Sequence, residues 1–435
     1  MVIEPIVLAS IPLISLFFWK SKNISNSRAG LSSKLASSFS PTNWFFIWND
    51  WLIAVAFVSF ILLITANFLD ISYIESINYY QNFNELTILT HISTYILGES
   101  NLAIRLPFIL SYIFSVILFY EISKYCIKQH KDQIITVAIF MLLPGVVSAS
   151  LLINTSILVI FSVLLYIYIY KKTKKHSYFL LFIFLLLDNS FAILFISLFF
   201  FSLKEKDNKL LIISLILFGI SMQIYGFDSG GKPRGYFVDT FGIYASIFSP
   251  LVFFYFIYSL YKTAIRGEFD LLWYISTTTF IFSLLLSFRQ SIYIEEFAPF
   301  VVIGVPIMIK TILNSYRVRL PQFRFKHKVG INIVIIVLLL NTIILLYNKP
   351  IYLLLNNPKK HFAYKYHFAK AIANKLKKDN TIAINTMDKK LAQRLKFYGI
   401  SSNGNKKLFT KKPNIYKKEI NIKYFNKSII SLYIQ

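Results

Sequence analysis

Long apolar runs recur along the first four-fifths of the chain, most of them near the roughly 20 residues a helix needs to cross a bilayer core, with polar or charged clusters between them. They are predicted near Trp44–Phe68, Leu106–Cys126, Gln133–Ile153, Ser156–Tyr170, Ser177–Leu187, Ser190–Leu203, Leu210–Phe227, Ile243–Lys262, Leu271–Phe288, Phe297–Leu313 and Val329–Tyr347. An earlier run, Val2–Trp19, carries Glu4 and Pro5 in place of a basic start and has no small-residue cleavage site, so it reads as a retained helix. Backbone groups in lipid must bond within their own segment, which makes each run a helix. The expected architecture is an all-α polytopic membrane protein with about twelve transmembrane helices. Asp188-Asn189 divides one apolar stretch into two short helices or marks the middle of one long one.

The polar clusters alternate in sign. One set holds Lys20, Lys22, Arg28 and Lys34, then Lys124, Lys128 and Lys131, then Lys171–Lys175, Lys204–Lys209, Lys262 and Arg266, and the run from Lys310 to Lys328. The other set is acidic or neutral: Asp70–Asn101, the Asn154 turn, Asp188, Asp228–Asp239 and Arg289–Glu296. Lys and Arg concentrate in cytoplasmic loops, so the first set is predicted inside and the second outside. Parity then carries the chain end outward. The expected localisation is a bacterial inner membrane, with Lys-, Asn- and Ile-rich usage pointing to an AT-rich genome.

From Asn348 the pattern changes. His367–Lys378 has helical spacing with Phe368, Ala371, Ile372 and Leu376 on one side, and Asp388–Tyr398 reads as a second helix stopped by Gly399. Thr381–Asn385, Ile420–Phe425 and Ile429–Ile434 are strand-like. The division is therefore residues 1–347, a transmembrane domain with its first outer loop at 69–105, and residues 348–435, a small basic α/β domain expected in the periplasm.

Composition agrees with a membrane protein: 56% hydrophobic residues and a mean hydropathy of +0.58. The net charge of +26 is uneven, because the tail holds twenty Lys and Arg against three acids. Such a tail is attracted to nucleic acid, anionic headgroups or an acidic substrate, or is simply well solvated; no nucleic-acid partner is expected. Cys126 is the single cysteine, so no internal disulfide forms. His91, His176 and His361 lack metal-ligand spacing.

Candidate chemistry gathers in the outer loops. Between Ile71 and Gly98, apolar residues recur about every third position, which predicts one or two amphipathic helices on the membrane surface, joined near Asn82–Asn84. Asp70 and Glu75 then stand at the water–lipid boundary, where Asp70 can cap a helix and the two can weakly hold a divalent cation. Arg105 suits paired hydrogen bonds to a phosphate, or an interfacial anchor at a helix start. Asp228–Tyr236 combines glycines with Lys232 and Arg234, as a phosphate-binding loop or an ordinary turn. Arg289 precedes Glu295 and Glu296 at a helix junction, and Asp188 is costly if it lies within hydrocarbon.

The stretch Ile96-Leu97-Gly98-Glu99-Ser100-Asn101-Leu102-Ala103-Ile104-Arg105-Leu106-Pro107, with Leu143-Pro144-Gly145 beyond it, resembles the C-type glycosyltransferases that use lipid-phosphate sugars, specifically family 39. That family includes protein O-mannosyltransferases and lipid A aminoarabinose transferases. The resemblance implies a polyprenyl-phosphate sugar donor, membrane-lipid surroundings and a lipid, glycan or protein acceptor. By position it implies Asp70 as the catalytic carboxylate, with Glu75 as substitute; the family's acidic pair is here Asp70 followed by Ile71. Arg105, Lys232, Arg234 and Arg289 become candidate donor-phosphate contacts, and no resident cofactor is required. A secondary transporter or flippase is the alternative, but it would place ionisable groups near the bilayer midplane in repeated halves.

Overall fold

The computed structural model describes residues 41–435 apart from 81–83, 227–228, 231–234, 411, 414–415 and 426. The Val2–Trp19 run and the first basic cluster lie outside the described residues.

Each described apolar run is helical. In chain order these are α1 (Pro41–Phe68), the loop helices α2 (Tyr73–Tyr80) and α3 (Glu85–Leu97), α4 (Leu106–Cys126), α5 (His130–Leu142), α6 (Pro144–Leu151), α7 (Ser156–Thr173), α8 (Tyr178–Leu187), α9 (Phe191–Glu205) and α10 (Asn208–Ile224). Then follow α11 (Phe237–Phe248), α12 (Pro250–Arg266), α13 (Leu271–Ser287), α14 (Ile294–Val302), α15 (Val305–Val318) and α16 (Pro321–Leu346). Among the described residues, four helices are long and apolar enough to cross a bilayer, or up to seven spans if each bent pair counts once.

Three expected single helices are broken. The α5–α6 pair bends by 56° at Leu143-Pro144, α11–α12 by 103° at Ser249-Pro250, and α14–α15 by 43° at Ile303-Gly304. Proline at the first position of a helix has no N–H to continue the preceding turn, and Ser249 takes a φ of 73° to make the sharpest corner. The Asp188-Asn189 stretch is two helices: the Asp188 carboxylate accepts the Ser190 backbone N–H and hydroxyl in the tight turn that leads into α9.

The bundle core is aromatic and aliphatic, with Phe108, Phe119, Phe140, Phe195 and Phe248 fully enclosed. Buried Ser115, Thr136, Ser197 and Thr279 return their hydroxyls to carbonyls one turn earlier, whereas the enclosed hydroxyls of Ser59, Ser221 and Thr277 have no partner among the described residues. Small residues let helices approach closely: a Cβ on Gly304 would lie 2.7 Å from Ser276 Oγ.

The two loop sets segregate to opposite ends. At the basic end Asp132 pairs with Arg317, Asp270 with Lys171 and Glu268 with Lys310. At the other end strand β1 (Ser229–Gly230) pairs antiparallel with β2 (Ser291–Ile292).

The tail forms α17 (Ala369–Lys378), β3 (Asn385–Thr386), α18 (Lys389–Phe397), β4 (Lys407–Phe409), β5 (Lys418–Tyr424) and β6 (Lys427–Ile434). Its sheet runs β3-β4-β6-β5, with the first pair parallel and the others antiparallel. Asp388 caps α18 through the N–H groups of Lys390 and Leu391, and Gly399 takes the left-handed φ of 75° that ends it. Thr381–Asn385 contributes less strand than expected, and β4 was not foreseen because three residues carry no readable alternation.

Candidate active site

Two amphipathic helices form the first outer loop, as the spacing predicts. Ser72 and Glu75 start α2 reciprocally: Ser72 N–H donates to Glu75 Oε2 at 2.8 Å, and Glu75 N–H to Ser72 Oγ at 3.3 Å. Asn84 caps α3 through the Thr87 N–H. Ile74, Ile88, Ile92, Tyr95 and Ile96 leave an exposed apolar face on these helices, suited to the headgroup boundary.

Arg105 is completely enclosed and all five of its N–H donors are engaged. Nε donates to the Leu151 carbonyl, Nη1 to Leu69 and Asn101, and Nη2 to the Asp70 carbonyl and to Glu75 Oε2 at 3.1 Å. The second Glu75 oxygen accepts the Ile153 N–H at 3.1 Å. The phosphate role expected of Arg105 therefore has no free donor, and the substitute-base role of Glu75 has no free oxygen in this geometry. The pair instead ties the start of the loop to the 151–153 turn of the bundle.

Asp70 is buried beneath the tail. Its N–H donates to the Tyr366 carbonyl, and its Oδ2 accepts the Lys370 N–H in the first turn of α17 at 2.9 Å. Asp70 is thus a helix cap, although for a helix of the distant tail rather than of its own loop. Its Oδ1 has no hydrogen-bond partner among the described residues. Burial pushes this carboxyl above the usual range, against the lowering effect of the Lys370 N–H, Arg394, Lys349 and Arg105. The Lys349 ammonium is drawn down, first by burial, while the Asp70 charge opposes that shift. Lys349 lies over the Phe68 and Tyr424 rings, at the seam between membrane and tail.

Other tail residues complete the seam. Arg394 Nε donates to the Ile71 carbonyl and Nη2 to that of His367. The Tyr398 hydroxyl accepts the Ile71 N–H and donates to Asn101 Oδ1 at 2.7 Å. Sequence reading missed Lys349, Tyr366, Arg394 and Tyr398, because about 280–330 positions separate them from the loop and nothing local marks them. The one available signal was Lys349, a lone cation directly after the last apolar run.

An outer cavity of about 350 Å³ lies beside this seam, lined by Gly145, Ile247 and Val302 below and by Ser148, Asn154, Ser156 and Glu295 above. Asn154 Oδ1 is enclosed there without a partner among the described residues. Burial, with the Glu75 and Glu295 charges adding to it, pushes the Tyr366 phenol up. Asp70 itself does not line this cavity.

Arg289 is exposed two residues before β2, and among the described residues its guanidinium meets no carboxylate. Lys232 and Arg234 lie outside the described residues, but β1 brings the flank of their segment against β2. Asn189 Nδ2 donates to Glu296 Oε1 at the same end. The three singled-out histidines have structural partners: His91 the Tyr79 carbonyl, His176 the Tyr166 hydroxyl, and His361 the Asn348 carbonyl. No group of three potential metal ligands occurs among the described residues.

Residues 86–187, about a quarter of the chain, match the family described as dolichyl-phosphate-mannose-protein mannosyltransferase. No curated protein sequence matches the chain. The fold is similar to the crystal structure of ArnT from Cupriavidus metallidurans bound to undecaprenyl phosphate, with a TM-score of 0.52 and 10% identity, covering 83% of this chain and 86% of that one. The fold shared with that structure is a polytopic helical bundle, here with a small sheet-containing domain at the chain end.

Proposed function

We propose that this glycosyltransferase family 39-like protein moves a sugar from a polyprenyl-phosphate donor to a lipid, glycan or protein acceptor on the periplasmic face of a bacterial inner membrane. The acceptor oxygen attacks the anomeric carbon as the bond from that carbon to the phosphate oxygen breaks. The polyprenyl phosphate leaves with the bonding electron pair, and the acceptor proton passes to Asp70 Oδ1. A phosphate is already a good leaving group, so the protein's task is to hold its charge and orient the acceptor.

The observation that carries this reading is the juxtaposition of Asp70 and Lys349 at the outer end of a C-type fold, one with a free carboxylate oxygen and the other with its ammonium at the lipid edge of Phe68. Lys349 takes the donor phosphate in this scheme, with Arg289, Lys232 and Arg234 as the wider cationic surface. The apolar floor of the outer cavity accommodates isoprenoid units. Burial that raises the Asp70 carboxyl brings it nearer the pH at which a base works well.

Sugar transfer from a polyprenyl-phosphate donor by Asp70→Asn tests the assignment, since the amide keeps an oxygen for the Lys370 N–H while losing the base. A loss of about 10²–10⁴-fold is expected; unchanged transfer removes Asp70 from the chemistry. One observation favours a second reading, because Glu295 lines the cavity and Asp70 does not. Loss of transfer in Glu295→Gln with Asp70→Asn unaffected would assign the base to Glu295. Substrate movement with no glycosidic product in any variant would favour a transporter.

A further inference from the structure

At the basic end of the bundle, opposite Asp70, a second cavity of about 480 Å³ opens between α5, α12, α15 and α16. Its walls are apolar, with Ile139, Val252, Met308, Ile309 and Leu338 among them, and its rim carries Arg319, His327 and Lys328. From Lys328 to Leu338, α16 advances about 15 Å at 1.5 Å per residue, which is roughly half the bilayer core. The cavity is therefore one leaflet deep, greasy inside and cationic at the mouth.

That mouth carries charge without a partner. The nearby acids are committed, Asp132 to Arg317 and Glu268 to Lys310. Neither Arg319 nor Lys328 meets a carboxylate among the described residues. His327 Nε2 is enclosed without a hydrogen-bond partner among the described residues. Arg324 folds back onto the carbonyls of Arg317 and Arg319, which steadies the segment presenting the rim. In the wall, a Cβ added to Gly330 would meet nothing within 4 Å.

We propose that this cavity is a binding site for an anionic glycerophospholipid of the leaflet on the basic side, with one acyl chain between α15 and α16 and the phosphate on Arg319 and Lys328. Charge complementarity selects the occupant: a zwitterionic headgroup brings its own cation to a rim that already has two, whereas an anionic one does not. This site stands at the other end of the molecule from the proposed transfer chemistry and does not depend on it.

Native mass spectrometry of the full chain in detergent, titrated with phosphatidylglycerol or phosphatidylcholine, tests the proposal. One phosphatidylglycerol should be retained in preference to phosphatidylcholine, with about fivefold weaker binding for each cation removed in Arg319→Gln and Lys328→Gln. Gly330→Leu fills the cavity with both cations intact and should displace the lipid. Equal retention of the two lipids overturns the proposal, as does binding unaffected by the cation changes. Loss on removing the cations but full retention in Gly330→Leu also overturns it, since the lipid would then sit on a charged surface rather than in the cavity.

Discussion

The Asp70 carboxylate accepts the backbone N–H of Lys370 at 2.9 Å, so a residue at the mouth of the first outer loop caps a helix of the tail 300 positions later. Loop and tail are therefore one structural unit. The acid proposed as the base also holds that unit together, so substitutions there need a stability readout beside any activity readout.

Breaking the Glu75–Arg105 pair should be costly from either side, but unequally. Arg105→Ala leaves a buried Glu75 charge and several carbonyls without donors, and should destabilise by about 3–5 kcal/mol. Glu75→Gln retains an oxygen for nearby donors and should cost less. Thermal unfolding in detergent, followed by intrinsic fluorescence, ranks the two.

Asp70 should influence stability with pH in a defined direction. Its folded pKa lies above the unfolded one, so its contribution is present below the ordinary carboxylate range and is lost as pH rises through the folded value. Asp70→Asn should therefore match or exceed the parent in stability at neutral pH, with the difference closing on acidification. If Asp70 is the base, the acid limb of the transfer rate lies above the ordinary aspartate range. Melting temperatures and rates across pH check both statements.

Docking of the tail should weaken in Tyr398→Phe. The hydroxyl both accepts from Ile71 and donates to Asn101, and its loss strands two polar partners at a buried seam. A cost of about 1–3 kcal/mol is expected. It should appear as faster amide exchange in Ile71 and α18 without loss of exchange protection in the bundle.

Acid should loosen the tail before the bundle. His367 is pulled down to about 3, chiefly by burial and then by the Lys349, His361 and Arg394 charges, while its Nδ1 pairs with the Tyr352 hydroxyl. A depressed histidine stabilises the fold above its unfolded pKa and loses that contribution as pH falls toward the folded one. Between the ordinary histidine range and about 3, tail stability should fall by up to about 1.4 kcal/mol per pH unit. His367→Gln should flatten that slope, as read by limited proteolysis of the tail.

Much of the architecture was legible because its causes are local. Apolar length predicted where the described bundle is helical, although three runs read as single helices are bent pairs; the roughly three-residue recurrence predicted α2 and α3, and Asp388 with Gly399 bounded α18. The alternating loop charges separated the two ends correctly. The helix breaks were partly legible in Pro144 and Pro250, but bend angles depend on what packs against them. The site was less legible. Arg105 and Glu75 carried the right residue types for chemistry, yet their partners are backbone carbonyls and N–H groups that only folding assembles.

By itself the chain determined a multi-helix membrane protein, its two chemically distinct ends, a small α/β tail and the outer loop where ionisable groups collect, because hydropathy, periodicity and caps act over a few turns. Tertiary structure alone decided that Arg105 is enclosed rather than available, that Asp70 is roofed by α17, and that Lys349 joins it at the lipid edge. Those outcomes rest on contacts between segments hundreds of residues apart, where burial and backbone hydrogen bonding, rather than residue type, settle which charge remains free.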